Sequence, residues 1–279
     1  LLSLGGASTS IPDTTVSFTQ AVSLAASPNE FISKFNDSMA KLVTDYGLDG
    51  FDFDIEQGLN PGPSFSDPTV GCEDGTVYNP NCDIATLSTI INNFHEQSPD
   101  SLLTLAPQLA NVAATATFSS FWGTYASLVM QTASSLEWVG FQIYNSGCVL
   151  GLDGRCYPLE SGDEKALTDY PDTAVAVAAD LLEDCPSNFQ PYKSFLTPSQ
   201  VVLGYASNNG SGVSDGSPAA VIPVVKDAIQ CLRTGEACRS YTAPNSYPDI
   251  GGVFAWTVNF DADNNYAFSR GLYPCVVEG

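Results

Sequence analysis

Apolar residues return along this chain in two alternating rhythms. Short stretches of strongly apolar or period-two character fall at 1–6, 50–56, 102–106, 138–144, 201–205 and 252–256, and each predicts a strand. The opening stretch reads as a buried strand ending in a glycine pair. Between the strands, apolar residues recur every three or four positions, the spacing of one helix face. The clearest helical stretch is 27–46. There Phe31, Phe35, Met39, Leu42, Val43 and Tyr46 form a stripe, and Ser27 or Asn29 can cap its start. Further helices are predicted at 84–97, 118–134, 172–183 and 218–233, the last with Pro223 in its first turns. Segment 57–83 is rich in Gly, Pro, Asn and Asp and reads as a long loop well placed to wall a cleft; a second loop covers 146–171. No internal repeat and no low-complexity linker divides residues 1–279. The pattern therefore predicts one α/β domain with a parallel sheet and helices outside it.

One strand is chemically unlike the others. Residues 48–56 read Leu-Asp-Gly-Phe-Asp-Phe-Asp-Ile-Glu. With period two, Gly50, Asp52, Asp54 and Glu56 share one face, and Phe51, Phe53 and Ile55 share the other. Three stacked carboxylates are costly to bury. They also raise one another's pKa, so at least one carboxyl is expected to keep its proton near neutral pH. A row of acids ending at the C-terminal end of a strand serves catalysis better than stability. The structural alternative is an edge strand with a solvated acidic face, which the large apolar residues at alternate positions disfavour.

Composition narrows the partners. The net charge is −22 with only 9 Lys and Arg, which argues against nucleic acid and anionic membranes, since both are bound through cationic patches. No run of 18 apolar residues exists to span a bilayer. A neutral sugar polymer is compatible with this charge. Eight cysteines suggest four disulfides: Cys72 with Cys82, Cys148 with Cys156, Cys231 with Cys238, and the remaining Cys185 with Cys275. None has the spacing of a zinc site, His95 is the single histidine, and neither metal nor cofactor is expected. Asn36-Asp-Ser and Asn209-Gly-Ser are glycosylation sequons. With the disulfides, they predict a secreted protein. Trp122 and Trp138 are assigned to packing, and Asp261 and Asp263 to turns.

The acidic stretch resembles the DGxDxDxE motif of glycoside hydrolase family 18, the chitinase family. Other segments agree in order. Ser3-Leu-Gly-Gly6 resembles the family's SxGG strand, and Ala106-Pro-Gln108, Gln142-Ile-Tyr144-Asn145 and Gly252-Val-Phe-Ala-Trp256 resemble strands of plant and fungal class III chitinases. The resemblance covers residues 1 to about 265 and implies a (β/α)8 TIM barrel. Six core strands are read here, and the SxGG segment matches the family's third. The expectation is therefore that the first two strand–helix units lie outside this sequence; a genuine partial barrel is the alternative. The resemblance also implies a secreted endo-acting hydrolase of β-1,4-linked N-acetylglucosamine polymers. Glu56 would be the general acid/base, and the substrate's own acetamide oxygen would be the nucleophile. Asp54 would hold the acetamide N–H, Asp52 would share a proton with it, and Tyr144 would donate to the acetamide carbonyl. Gln142, Asn145, Gln108 and Trp256 would contact the sugar. Chitin is the expected partner and a monomer the favoured state. N-glycan cores remain open as a substrate, and so does a non-catalytic lectin or inhibitor.

Overall fold

The computed structural model describes residues 1–6, 17–55, 59–60, 72, 75–108, 112, 124–144, 149–157, 164–183, 195–207 and 220–277, with the backbone alone for 124, 149–150, 156 and 164–170. Strand Gly50–Asp54 (β2) lies inside a six-stranded sheet. Its neighbours are Leu2–Gly5 (β1), Leu102–Leu105 (β3), Trp138–Gln142 (β4), Val201–Ala206 (β7) and Gly252–Trp256 (β8). All pairs are parallel, in the order β1-β2-β3-β4-β7-β8. The chain returns through helices, as parallel pairing requires. A separate antiparallel hairpin, Val149–Leu150 (β5) with Cys156–Tyr157 (β6), falls in the segment read from sequence as a loop.

The two faces of β2 meet different surroundings. Phe51 and Phe53 are fully buried, and the Phe51 ring meets Phe94 edge-to-face with centroids 5.5 Å apart. Phe94 belongs to helix Asp83–Gln97 (α3), so the apolar face of β2 is the helix-covered one. The acids face the other way. On that second face the ring of Phe254 lies across β7 and β4, where Gly140 and Gly204 leave room for it. A Cβ on Gly204 would stand 2.2 Å from the ring, and one on Gly140 would stand 2.9 Å from it.

The predicted elements are largely present, with shifted ends. Helix Pro28–Tyr46 (α2) starts where Ser27 Oγ accepts from Glu30 N and stops at left-handed Gly47. Helix Thr124–Thr132 (α4) covers part of the expected 118–134, and the residues before it lie outside those described. Helix Glu164–Leu182 (α5) begins eight residues before the expected 172 and carries Pro171 within it. Helix Ile222–Thr234 (α6) has Pro223 in its first turn, where the missing N–H costs nothing. Helices Phe18–Ser23 (α1), Val258–Asp263 (α7) and Ala267–Val277 (α8) were not foreseen. No helix among the described residues is long and apolar enough to cross a membrane.

Four expectations need correction. Strand β1 is mostly exposed rather than buried, because it forms one end of the sheet among the described residues. Asp261 is not a turn residue at the surface. It is 1% exposed and accepts from Phe268 N (2.9 Å) and Ser269 N (3.2 Å), holding the first turn of α8. Asn36 is 3% exposed within α2, so a glycan on its amide would collide with the packing around it; Asn209 lies outside the described residues. Of the cysteines, Cys72–Cys82 and Cys231–Cys238 are disulfide-bonded, but Cys275 is a free thiol. Its pairing with Cys185 rested on elimination alone; Cys148 and Cys185 lie outside the described residues. The backbone carbonyl of Cys275 instead accepts from Arg233 Nη1 at 2.6 Å.

Candidate active site

The site gathers at the C-terminal ends of β1 to β4 and β8. Register places Ser3 of β1 beside Asp52 and Asp52 beside Thr104 of β3, and neighbours across a sheet share a face. Ser3 Oγ donates to Asp52 Oδ2 (2.9 Å), and Thr104 Oγ1 donates to Asp52 Oδ1 (2.6 Å). Both carboxyl oxygens are thus engaged. Burial nevertheless pushes the Asp52 carboxyl above the usual carboxylate range, because desolvation outweighs the two hydroxyl bonds.

Asp54, at the last position of β2, is 8% exposed. Gly6 N donates to its backbone oxygen at 2.6 Å. Gly5, with φ at 123°, allows that approach: a Cβ there would stand 2.2 Å from Asp54 O. The Asp54 carboxylate is met from β4. Gln142 Nε2 donates to Asp54 Oδ1 at 3.0 Å and to Ala106 O at 2.8 Å. Gln108, half-buried, forms a bridge to Gln142 beyond the end of β3. The chain just past β2 is fixed as well, since the Tyr125 hydroxyl donates to Ile55 O in a short hydrogen bond.

Tyr144 and Trp256 form the aromatic part. Tyr144 is 4% exposed, whereas Trp256 is 44% exposed. Their ring centroids are 6.5 Å apart with planes inclined by 32°. The carbonyl of Trp256 accepts from Ser207 N at 2.9 Å and from Ser207 Oγ at 3.1 Å. On a backbone held in this way, the half-open indole presents a flat apolar surface. Glu56 and Asn145 lie outside the described residues, and no group of three or more metal-ligating side chains occurs among those described.

Of the residues singled out in the sequence, Asp52, Asp54, Gln108, Gln142, Tyr144 and Trp256 lie among the described residues at this end of the sheet, on supports to which the sequence did not point. Thr104 carries one signal, a lone hydroxyl in the apolar run Leu-Leu-Thr-Leu. Tyr125 carries none, because its contact joins residues 70 apart in sequence.

Comparison with known proteins finds relatives in both sequence and fold. The C-terminal domain of Legionella pneumophila ChiA is 46% identical and superposes with a TM-score of 0.86, over 99% of this chain and 80% of that one. A family GH18 chitinase from Chromobacterium violaceum, 23% identical, shares the fold with a TM-score of 0.73, over 99% of this chain and 64% of that one. The chitinase Chi52 of Paenibacillus xylanexedens is 28% identical over 98% of this chain, which spans 48% of that protein's length. No protein-family profile matches the chain.

Proposed function

This chain belongs to glycoside hydrolase family 18, and from that premise we propose that it is a secreted hydrolase of the β-1,4 linkages between N-acetylglucosamine units of chitin. The observation that carries the proposal is the bond from Gln142 to Asp54. It ties the end of β4, with Tyr144 two residues on, to the face of β2 that carries the acids.

In this reading Glu56 protonates the glycosidic oxygen, the substrate's acetamide oxygen attacks the anomeric carbon as that linkage breaks and the protonated sugar leaves, and Glu56 then takes a proton from the water that opens the oxazolinium intermediate. Asp54 receives the acetamide N–H and offsets the positive charge that develops on the ring. Tyr144 orients the acetamide carbonyl, and the exposed face of Trp256 carries the sugar at the point of cleavage. Gln108 and Asn145 contact the same sugar. Asp52, half-buried and bonded by Ser3 and Thr104, stores a proton beside Asp54. The Cys72–Cys82 and Cys231–Cys238 disulfides fit an oxidising compartment, which supports secretion.

The test is cleavage of chitotetraose by the wild-type chain and by Glu56→Gln. The substitution is expected to lower turnover by about 10²- to 10⁴-fold while the oligosaccharide still binds. Binding without turnover in the wild type would make the protein a lectin. Release of glycans from a glycoprotein, with chitotetraose left intact, would move the substrate to N-glycan cores.

A further inference from the structure

We propose that Gln142 is a positioning residue that holds the Asp54 carboxylate in its working orientation, and not a contact for the sugar. The inference rests on the family 18 reading of Asp54 given above, and it changes the role that the resemblance implied for Gln142.

Three observations carry it. First, Gln142 Nε2 has two acceptors, Asp54 Oδ1 at 3.0 Å and Ala106 O at 2.8 Å, and a primary amide nitrogen has two protons. Neither proton is left to donate to a ligand. Second, the orientation of the amide is fixed by its surroundings. Turned over, its oxygen would face a carboxylate and a carbonyl, with no proton between them. Third, Gln142 is 3% exposed and Asp54 8% exposed, so of the bonded pair the carboxylate is the more open to a ligand. The backbone holds the donor in place as well, with Gln142 N bonded to Pro107 O at 3.0 Å. The side chain therefore starts from a fixed point on β4, crosses the end of β3 and reaches β2.

The chemical consequence concerns where the proton sits. A neutral N–H donor favours the ionised form of the carboxylate it meets. The titratable side chains on the described elements bordering Asp54 are Asp52 on β2 and Tyr144 beyond β4, with Glu56 next along the sequence; β1 and β3 carry no titratable side chain, and the amino group of Leu1 before β1 acts on Asp52, favouring its ionised form. Asp52 is pushed up by burial against the two hydroxyl bonds that lower it, and a hydroxyl, unlike an amide N–H, can also turn to accept its proton. Gln142 thus directs the shared proton to Asp52 and leaves Asp54 charged toward the acetamide.

Gln142→Met keeps the length and removes the donor. It is expected to lower kcat on chitotetraose by about 10-fold or more, with KM within about two-fold and the acidic limb of the kcat profile moved to higher pH. Gln142→Glu, which keeps the shape and adds a like charge, should move that limb further in the same direction and carries the test if the methionine variant does not fold. A raised KM with an unmoved limb would return Gln142 to the sugar. A carbon-13 titration of the Asp54 carboxyl reads the proposal without turnover. Its midpoint should rise in Gln142→Met, and an unmoved midpoint overturns the proposal whatever the activity. Loss of wild-type cleavage, by contrast, would sink the functional reading and leave this titration unaffected.

Discussion

Asp52 and Asp54 stand two positions apart on one strand, yet their surroundings are of opposite kinds. Asp52 accepts from two hydroxyls inside the sheet, while Asp54 accepts from an amide that reaches it from β4. Period two alone placed both on one face, so their direction was legible in the sequence. Their partners were not, because each partner comes from a different strand and depends on register. Thr104→Val removes a donor to Asp52 at nearly constant shape. It is expected to cost about 1–2 kcal/mol in urea unfolding, the range for a bond to a carboxyl group, and to push the Asp52 carboxyl further up. Unchanged stability would mean that water replaces the hydroxyl.

The elements are tied together by a residue that no motif marks. Asp83, fully buried at the start of α3, accepts from Thr19 Oγ1 (2.6 Å), Asn60 N (3.1 Å), Asn60 Nδ2 (3.0 Å) and the Tyr78 hydroxyl (3.4 Å). It joins α1, the chain at 59–60 and α3, next to the Cys72–Cys82 disulfide. Asp83→Ala strands several half-buried donors and is expected to cost about 2–4 kcal/mol, read as a lowered midpoint in thermal unfolding. The six sheet strands were legible because apolar runs bounded by turn residues have few other readings. Helix α8 was not, because Gly271 and Pro274 inside it argue against a helix on propensity. Burial of Phe268 and Leu272 outweighs that preference. The Asn- and Asp-rich approach to α8 read as a loop for the same local reason, while Asp261 was in fact the acceptor for that helix's first amides. The start of α5 was missed because Pro171 reads as a boundary.

Across the whole molecule, acidity sets the response to pH. Asp180 of α5 is pushed up to about 8, first by burial and then by the negative charge of Asp153. Its Oδ1 finds no hydrogen-bond donor among the described residues. An unfolded aspartate titrates near 3.9, so between about pH 4 and 8 the folded chain binds more protons than the unfolded one. This contribution is fully present below pH 4 and is lost as pH rises through the folded value. Stability should therefore fall from acid to mildly alkaline conditions. Asp180→Asn, which cannot ionise, should flatten that fall in a series of unfolding midpoints from pH 4 to 8. An equally steep fall in the variant would assign the trend to the net charge of −22 alone.

The ring of Phe254 sits where it does because positions 140 and 204 carry no side chain. Two absent methyl groups thus let that ring lie close against β4 and β7, on the face of β8 that Trp256 shares. A larger residue at either position would lift the ring off the sheet and so reshape that face, from positions that bear no reactive group.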